Sequence, residues 1–505
     1  MLTEGTYPQS YGGVSVWCDQ LVRGLSQHQF DIYAIEVTGT EEVVWQTPSN
    51  VRTHGIALWP PTHRRPRPRR PRPDDKLVAG YEDLIGALLA PAGQAENDFA
   101  TALRRIGRFG TAQGATLAPY GEVAAGWLLD AWAAAPDLAD APAPSVLDAL
   151  TAVDIIEHWL RPMLYPAPRA DITHAVTNGL STLPALNAKW RYRTPMLLTE
   201  HGVYLRERYL GLRSSDYSWP VKVVLSAFQR LLCTTAYRTA DLITPGNRFN
   251  HRWETRFGAD PDRIETVYNG VDPADFPAAG KEPGTPTIAW AGRVDPIKDL
   301  ETLIRAFALV RKELPEAQLR IFGGTPATAR GYRTRCEALV GELQLTGAAH
   351  FEGRVENIRD AYAAGHVVVL SSISEGFPYT LIEAMTSGRA TVSTDVGGVS
   401  EAVADTGLIV PPRDPAAMAQ ACVKLLGDDL LRHRLGARAR ERALALFTVD
   451  KAVDSFDAIY HDLATGVDRR PAASATDEAE VVVGRAPVIA IGSAAVPLNT
   501  VRKSA

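Results

Sequence analysis

The sequence predicts an α/β protein built from two doubly wound domains, each a parallel sheet with helices on both faces. Strand-like and helix-like segments alternate in two successive series, which is the pattern of such sheets. Several predicted strands, among them HVVVL at 366–370, are apolar throughout, as expected when a parallel sheet is covered on both faces. The length of 505 residues also exceeds that of one ordinary domain. We therefore expect two such domains that face each other.

The predicted domain boundaries follow from the two series. The first series occupies an N-terminal Rossmann-like domain at 1–275, and the second occupies a C-terminal domain at 276–445, which begins with the linker-like segment KEPGTP. A final helix at 446–464 is expected to pack back on the first domain. The tail at 465–505 is rich in Ala, Val and Pro without periodicity, and we expect it to be poorly ordered.

The first series begins with a short strand at 1–4 and a helix from residue 14. A strand is predicted at 30–38, where β-branched and aromatic residues cluster. Residues 75–165 are rich in Ala and Leu and predict helices, so we expect a helical insertion at about 60–170, after the second strand. The remaining elements expected in this series are strands at 171–176, 194–202, 241–245 and 263–272 and helices at 179–190 and 218–240.

An arginine- and proline-rich run interrupts the first series. Residues 60–73, PPTHRRPRPRRPRP, hold six arginines among prolines. Proline blocks both helix and ladder hydrogen bonds, so the run is expected to be extended and solvated. It is either an exposed loop or a contact site for an anionic partner.

The second series has the same alternation and clearer periodicity. The helix predicted at 299–314 has an apolar face at helical spacing, formed by Leu300, Leu303, Ile304, Phe307 and Val310. The other elements expected here are strands at 286–293, 318–324, 350–353, 366–372, 390–395 and 407–412 and helices at 332–343, 358–365 and 379–388.

Composition excludes several functional classes. A net charge of −5 gives no overall attraction to nucleic acid or anionic membrane. The four cysteines are far apart and form no metal-ligand pairs, so we expect reduced thiols and no metal site. No stretch approaches the ~20 apolar residues of a membrane span, and the first residues lack a secretory signal. The sequence therefore favours a cytoplasmic protein, with peripheral contact to the inner face of the membrane left open.

Two cations follow a predicted strand in AGRVDPIKD at 291–299. The guanidinium of Arg293 can bind a phosphate with two hydrogen bonds, and the ammonium of Lys298 can act as a point charge. Ligands of open parallel sheets bind beyond the carboxyl ends of the strands. The pair could therefore offset the charge on a diphosphate, although a solvated basic loop is the alternative.

Two glutamates flank a predicted helix start in SEGFPYTLIEAM at 374–385. The free N–H groups at the start of the helix are expected to point into the cleft and to form a seat for phosphate. They belong to Tyr379, Thr380 and Leu381. Glu383 could accept both hydroxyls of a ribose, and Glu375 could hold sugar hydroxyls, so that the two carboxylates grip two ends of a sugar nucleotide. Alternatively, Glu375 caps the helix and Glu383 lies on the surface.

Two weaker candidates lie in the first series. His201 follows a predicted strand in TEHGVYLRER at 199–208 and could reach across to a donor sugar, although a lone histidine is usually structural. Gly12 and Gly13 precede the first helix and allow close backbone approach to a phosphate or an acceptor. No G-x-G-x-x-G occurs at this place, so a nicotinamide or flavin site is poorly supported.

Three motifs in order resemble the retaining GT-B glycosyltransferases of glycosyltransferase family 4. They are Y-N-G-V-D at 268–272, G-R-x-x-x-x-K at 292–298 and E-G-F-P-x-x-x-x-E at 375–383. The first domain looks similar to the PelF-type enzymes of exopolysaccharide synthesis, through LTEGTYP-x-x-x-GGVSVW at 2–17 and LLTEHGVYLRER at 197–208. One departure is that the PelF-type TYPY reads TYPQ here.

The resemblance implies a GT-B fold and a UDP-sugar donor, UDP-glucose in the PelF type. It also implies retention at the anomeric carbon, no cofactor and no metal ion. Arg293 and Lys298 would hold the diphosphate, Glu383 the ribose, and Glu375 and His201 the donor sugar. Arg354 and Val355, in the G-R-V at 353–355, would contact the base. The other residues implied in donor binding are Gly12, Gly13, Gly376, Phe377, Tyr379, Thr380 and Leu381.

The function expected from these residues is hexose transfer from a UDP-sugar to a polysaccharide or glycoconjugate acceptor. A membrane-bound polysaccharide synthase complex is a possible partner, and no nucleic-acid partner is expected. Two alternatives remain open. One is a sugar-nucleotide epimerase, which shares the architecture, and the other is a catalytically idle nucleotide-sugar sensor or scaffold of a polysaccharide synthase.

Overall fold

The computed structural model describes residues 1–60, 74–110, 117 and 120–467. Within these residues the strands form two parallel sheets of six strands each. The first sheet contains β1 Leu2–Glu4, β2 Phe30–Glu36, β3 Val51–Ala57, β4 Thr173–Ala175, β5 Met196–Glu200 and β6 Leu242–Pro245. The second contains β7 Thr287–Ala291, β8 Gln318–Phe322, β9 Ala349–Gly353, β10 Val367–Leu370, β11 Ala390–Thr394 and β12 Leu408–Val410.

The two sheets share one topology. Their strand orders are β3-β2-β1-β4-β5-β6 and β12-β11-β10-β7-β8-β9, which are the same doubly wound order. The direction of winding reverses between β1 and β4 in the first sheet and between β7 and β10 in the second. Such switch points open a crevice beyond the carboxyl ends of the strands, where ligands bind in this class of fold. The prediction of two doubly wound α/β sheets is confirmed.

Helices cover both sheets. We call the first sheet with its helices the first lobe and the second sheet with its helices the second lobe. The helices of the first lobe are α1 Gly13–Gly24, α2 Asp75–Ala87, α3 Gln94–Gly107, α4 Gly121–Ala134, α5 Val146–Leu160, α6 Thr182–Tyr192, α7 Tyr204–Ser214, α8 Trp219–Thr239 and α9 His251–Arg256. The rest are α10 Leu300–Glu313, α11 Arg330–Glu342, α12 Ile358–Ala363, α13 Tyr379–Thr386, α14 Val399–Val403, α15 Pro415–Gly427, α16 Asp429–Leu446 and α17 Val449–Thr465. The five apolar residues predicted for one face of α10 are all buried.

Three sequence predictions about the first lobe were wrong. β3 pairs with β2 along its whole length, yet VRTHGIA has polar residues on both faces and gives no strand alternation. The helical insertion therefore follows the third strand. No helix was expected at 204–214, where the structure has α7, because this segment is polar and lacks an apolar face. The strand predicted at 263–272 contains only isolated bridges, at Ile264 and Val271.

The helical insertion packs into the core of the first lobe. Tyr81 of α2, Phe99 of α3 and Ile156 of α5 are fully buried in one apolar cluster with Leu2 and Ile35 of the sheet. The rings of Phe99 and Phe228 meet edge to face at 5.5 Å. The insertion thus completes one face of the first sheet, because its helices share that core.

The last helix, α17, contacts the first lobe. The ring centroids of Trp17 and Phe456 lie 5.2 Å apart, and Tyr460 and His174 share a buried hydrogen bond of 2.7 Å. Gly24 of α1 lies against Val453 so closely that a Cβ there would approach within 2.6 Å. The chain therefore crosses back to the first lobe after α16.

The linker-like segment 281–286 is anchored by an ion cluster. Glu282 accepts hydrogen bonds from Nε and Nη2 of Arg432 at 2.9 and 2.6 Å, and from His433 at 3.1 Å. Burial raises the pKa of Glu282, but the bonds from Arg432 and His433 outweigh it and lower that pKa to about 2. The segment is therefore fixed to α16 although its composition resembles that of a free linker.

The arginine- and proline-rich residues 61–73 and the residues from 468 onward lie outside the described part of the chain, and so do the predictions made for them. In the described ranges no helix has the length and apolar character needed to cross a membrane.

Candidate functional site

Two loops meet at the switch point of the second sheet. The loop after β7 carries Arg293 and Lys298, and the loop after β10 carries Glu375. They are joined by a backbone hydrogen bond from Ile373 N to Ile297 O at 2.9 Å, and Ser371 donates to the carbonyl of Lys298 at 2.7 Å. Because β7 and β10 are adjacent strands, residues more than seventy positions apart come together here.

Lys298 and Glu375 form an ion pair. Nζ of Lys298 lies 2.5 Å from Oε1 of Glu375, with side chains 20% and 11% exposed. The same oxygen accepts a hydrogen bond from Ser372 at 2.5 Å. Arg293 is 59% exposed, and its Nε lies 3.6 Å from Asp295. The structure therefore brings these three predicted residues to one place and leaves the Arg293 guanidinium open to solvent.

The Glu375 loop is enclosed by close backbone contacts. A Cβ on Gly376 would lie 1.9 Å from the carbonyl oxygen of His201, which belongs to the other lobe. Gly397 has a φ of +56°, and a Cβ there would lie 1.8 Å from the carbonyl oxygen of Glu375. Gly398 also donates its N–H to Gly376 O at 2.8 Å. Glycine is thus required at 376, where the loop meets the other lobe, and at 397, where the backbone passes the carbonyl of Glu375.

Phe377 supports the loop from below. Its side chain is buried and stacks on Tyr268 at 5.2 Å, while its carbonyl accepts a hydrogen bond from Asn269 at 3.0 Å. The Y-N-G-V-D motif therefore holds the E-G-F-P motif in place. The predicted role of Phe377 in donor binding can involve its backbone alone, because the ring lies in the core.

The start of α13 differs from the prediction at one residue. Leu381 donates its N–H to Pro378 O at 3.2 Å, and its side chain is buried in the core. The three free amides expected there are therefore reduced to those of Tyr379 and Thr380, which have no hydrogen-bond acceptor among the described residues. The Tyr379 ring lies beside Gly13, whose added Cβ would be 3.5 Å away, and Tyr379 Oη donates to Gln20 at 3.2 Å.

Glu383 is more enclosed than an exposed surface acid. Tyr362 donates to its Oε2 at 2.5 Å. Burial raises the pKa of Glu383 to about 7, although the Tyr362 hydrogen bond lowers it in part. Glu383 is therefore half-buried rather than fully exposed.

Arg354 and Val355 follow β9, at the same edge of the sheet. Gly323 donates to Gly353 O at 2.7 Å, and Gly292 donates to Phe322 O at 3.0 Å, so the ends of β7, β8 and β9 lie side by side. Arg354 is exposed, and Val355 packs on the apolar cluster beneath the Glu375 loop.

His201 is held against α1. Its ring meets that of Trp17 edge to face at 4.8 Å. Burial lowers the pKa of His201 to about 4, so the ring is neutral at neutral pH. Its Nε2 is buried and has no hydrogen-bond partner among the described residues. The ring therefore leaves one buried polar atom unsatisfied in the part of the chain that the structure describes.

A cavity of about 180 Å³ lies between the lobes. From the second lobe it is lined by Arg293, Ile297, Lys298, Ser374, Glu375 and Gly376. From the first lobe it is lined by Gly202, Val203, Arg206, Glu207, Phe249 and Asn250. The sequence predictions included none of these six first-lobe residues as site residues.

Glu4 positions α7 at this cavity. Its Oε1 accepts hydrogen bonds from Tyr204 at 2.8 Å and from Arg208 at 2.7 Å, and its Oε2 accepts one from Leu180 N at 2.8 Å. Glu4 and Arg208 belong to the two first-lobe segments that carry the PelF resemblance. The resemblance of both segments to one enzyme type was the sequence signal available for α7, and the structure joins the two segments by direct contacts.

Two known protein families match parts of this chain. Residues 1–262 match the family described as a domain of unknown function, DUF3492. The chain belongs to this family. In addition, residues 285–428 match the family described as glycosyl transferases group 1. The DUF3492 region thus contains the whole first sheet, and the group 1 region contains the second sheet together with Arg293, Lys298, Glu375 and Glu383.

Curated relatives of this DUF3492 chain include a D-inositol 3-phosphate glycosyltransferase of Nocardia farcinica. It is 30% identical over 304 residues, which cover 55% of this chain and 65% of that protein. For the first three such relatives, the chain covers 51% to 65% of their length. Less than two thirds of each is therefore matched.

Solved structures show the fold. Sucrose-phosphate synthase from Thermosynechococcus elongatus matches with a TM-score of 0.60 and 20% identity, covering 92% of this chain and 98% of that one. Anabaena HepE in complex with UDP-glucose matches with a TM-score of 0.55 and 13% identity, covering 92% and 100%. The DUF3492 chain has the GT-B fold, as the sequence predicted.

Proposed function

We propose that the protein is a retaining glycosyltransferase that transfers a hexose, glucose in the first instance, from a UDP-sugar to a carbohydrate or glycoconjugate acceptor. The observation that carries the proposal is the meeting of Arg293, Lys298 and Glu375 at the switch point, beside the start of α13. The match to group 1 glycosyltransferases supports it. So do the names of the curated relatives and the UDP-glucose in the HepE structure.

Each part of the site has a proposed task. The two free amides of α13, Arg293 and Lys298 stabilise the negative charge that grows on the departing diphosphate. Glu383 accepts hydrogen bonds from the ribose, and Arg354 and Val355 contact the base. Glu375 and the neutral ring of His201 hold hydroxyls of the donor sugar, with Gly12 and Gly13 leaving room for the ligand opposite Tyr379.

The proposed reaction breaks the bond from the anomeric carbon to the diphosphate and forms one to the acceptor oxygen on the same face. A diphosphate oxygen takes the acceptor proton, so neither a separate base nor a metal ion is needed. Closure of the two lobes around the donor would exclude water and limit hydrolysis of the donor.

The cellular role implied by the PelF resemblance is part of the same proposal. The enzyme would work in the cytoplasm, where it would build an exopolysaccharide and pass it to a membrane-bound synthase complex.

The decisive test is a donor screen. Titration calorimetry with UDP-, GDP- and ADP-sugars is expected to show that UDP-glucose binds most tightly. Mass spectrometry of reactions with an acceptor mixture is expected to show a gain of one hexose, and NMR of the product the same anomeric configuration as the donor. Tight binding without transfer or hydrolysis would favour a sensor or scaffold, and conversion of the donor to its epimer an epimerase. An inverted product would refute retention.

A further inference from the structure

One arginine of the first lobe lines the inter-lobe cavity, and a second packs on a residue that lines it. Arg206 on α7 lines it directly, and its Nη1 donates to Ser374 Oγ of the second lobe at 2.8 Å. Arg252 on α9 stacks over Phe249, with its guanidinium carbon 3.9 Å from the ring centroid, and Phe249 lines the same cavity. The stacking restricts the guanidinium of Arg252 to one plane.

Neither arginine has a carboxylate partner within 4 Å in the part of the chain that the structure describes. Burial, and then the positive charge of Arg206, lower the pKa of Arg252. The other two cations that line the cavity lie near carboxylates. Lys298 pairs with Glu375, and Arg293 faces Asp295.

Glu207 also lines the cavity, and the charges of Arg208 and Arg206 act on it, but among the described residues it forms no ion pair within 4 Å with Arg206 or Arg252. Its carboxyl points back toward Gly202, where an added Cβ would lie 2.8 Å from Oε1. Burial also raises the pKa of Glu207. Two neighbouring cations at a partly enclosed wall repel each other, and an anion that binds both relieves this repulsion.

We propose that Arg206 and Arg252 bind an anionic group, a phosphate or a carboxylate, on the acceptor sugar. This inference rests on the proposed function and adds the chemical class of the acceptor to it. The group belongs to the acceptor because the donor diphosphate already has its own cations in the second lobe. Guanidinium groups suit both anions, since each accepts two parallel hydrogen bonds.

The position of Arg206 would also fix the bound anion relative to the donor sugar. Arg206 reaches Ser374, one residue from Glu375, so a group bound by Arg206 lies next to the proposed donor-sugar site. Glu4 holds α7 through Tyr204 and Arg208, which fixes the direction in which Arg206 projects. Arg206 and Arg252 thus orient an acceptor hydroxyl as well as attract a negative charge.

The test is calorimetric titration of the UDP-saturated protein with three sugars: glucose 6-phosphate, glucuronic acid and uncharged glucose. The variants are Arg206→Gln, Arg252→Gln and the control Arg213→Gln, which changes an exposed arginine of α7 that does not line the cavity. UDP affinity is measured for every variant, and thermal unfolding verifies that each is folded.

We expect at least one charged sugar to bind ten times more tightly than glucose, and the phosphate and carboxylate sugars report which anion is preferred. Arg206→Gln and Arg252→Gln should remove this preference, while Arg213→Gln keeps it and UDP affinity stays within about twofold. Equal behaviour of the three sugars, including no binding by any, overturns the proposal. An equal loss of UDP affinity in Arg206→Gln also overturns it, because the arginine would then serve the donor. Failure of the wild type to bind UDP or a UDP-sugar would instead contradict the proposed function.

Discussion

The Nζ of Lys298 lies 2.5 Å from Oε1 of Glu375, so the loops after β7 and β10 are joined by opposite charges at the point where the sheet reverses. One residue was assigned to the diphosphate and the other to the donor sugar. Their contact means that each sets the position of the other before a ligand arrives. An ammonium that is already oriented loses little free energy in reorganising when charge develops on a leaving group.

Lys298→Ala and Glu375→Gln are each expected to lower kcat by about 100-fold or more, or ~3 kcal/mol of transition-state stabilisation. Turnover of UDP-glucose gives the measurement. The double variant should lose much less than the sum of the single losses, because each residue acts through the other. The exposed Lys312→Ala on α10 is the control. Full activity of either single variant would remove these residues from the proposed site.

Donor affinity is expected to depend on pH through Glu383. The pKa of this carboxyl is raised to about 7, so it is ionised at pH 8 and largely protonated at pH 6, where it loses acceptor capacity for the ribose. Calorimetry with UDP-glucose should show affinity falling by up to about tenfold from pH 8 to pH 6.

Two variants check the origin of this pH dependence. Glu383→Gln should bind UDP-glucose weakly because it lacks the carboxylate. Its affinity should be the same at both pH values because it carries no titrating group. Tyr362→Phe removes the hydrogen bond that lowers the Glu383 pKa, so the transition should move to higher pH. A wild-type affinity that is the same at pH 6 and pH 8 would contradict the assignment.

Glu4→Ala is expected to loosen α7 and thereby lower activity. It removes the acceptor of two side-chain hydrogen bonds, from Tyr204 and Arg208, at a cost of about 1.5–3 kcal/mol. Hydrogen exchange of residues 204–214 should become faster, and kcat/KM should fall by about tenfold because Arg206 is no longer fixed. Glu122→Ala, on an exposed position of α4, serves as the control. Unchanged exchange in α7 would show that Glu4 does not position this helix.

Glu282→Gln is expected to destabilise the protein at neutral pH. Glu282 binds two nitrogens of the buried Arg432, and losing this partly exposed pair should cost about 2–3 kcal/mol. Its pKa is depressed to about 2 in the folded protein. The contribution to stability is therefore present above pH ~4.5 and is lost as pH falls through about 2.

Urea unfolding of the wild type and of Glu282→Gln, followed at pH 7 and at pH 3, measures this difference. The gap between the two proteins should be largest at pH 7 and smaller at pH 3. The exposed Glu316→Gln should show no gap at either pH. A gap that grows toward low pH would reverse the sign that the ion pair requires.

The predictability of the fold varied with the strength of local patterns. The helix α10 and the strands around HVVVL were predicted because burial on one or both faces imposes a periodicity that the residues themselves display. The strand β3 and the helix α7 were missed because both are largely exposed. Their conformation comes from pairing with β2 and from the contacts of Glu4, which leave no hydrophobic period in the sequence.

The sequence by itself determined the two-sheet architecture, because the topology of such sheets is restricted. It also determined the residues that follow β7 and β10, because the end of a buried strand can be predicted from its composition. Only the tertiary structure decided which groups face them from the other lobe. Arg206 meets Ser374 across 168 positions of the chain, and Arg252 gains its setting by stacking on Phe249. The sequence pattern does not distinguish one exposed helical arginine from another. The surroundings of these two are fixed only when the two lobes come into contact.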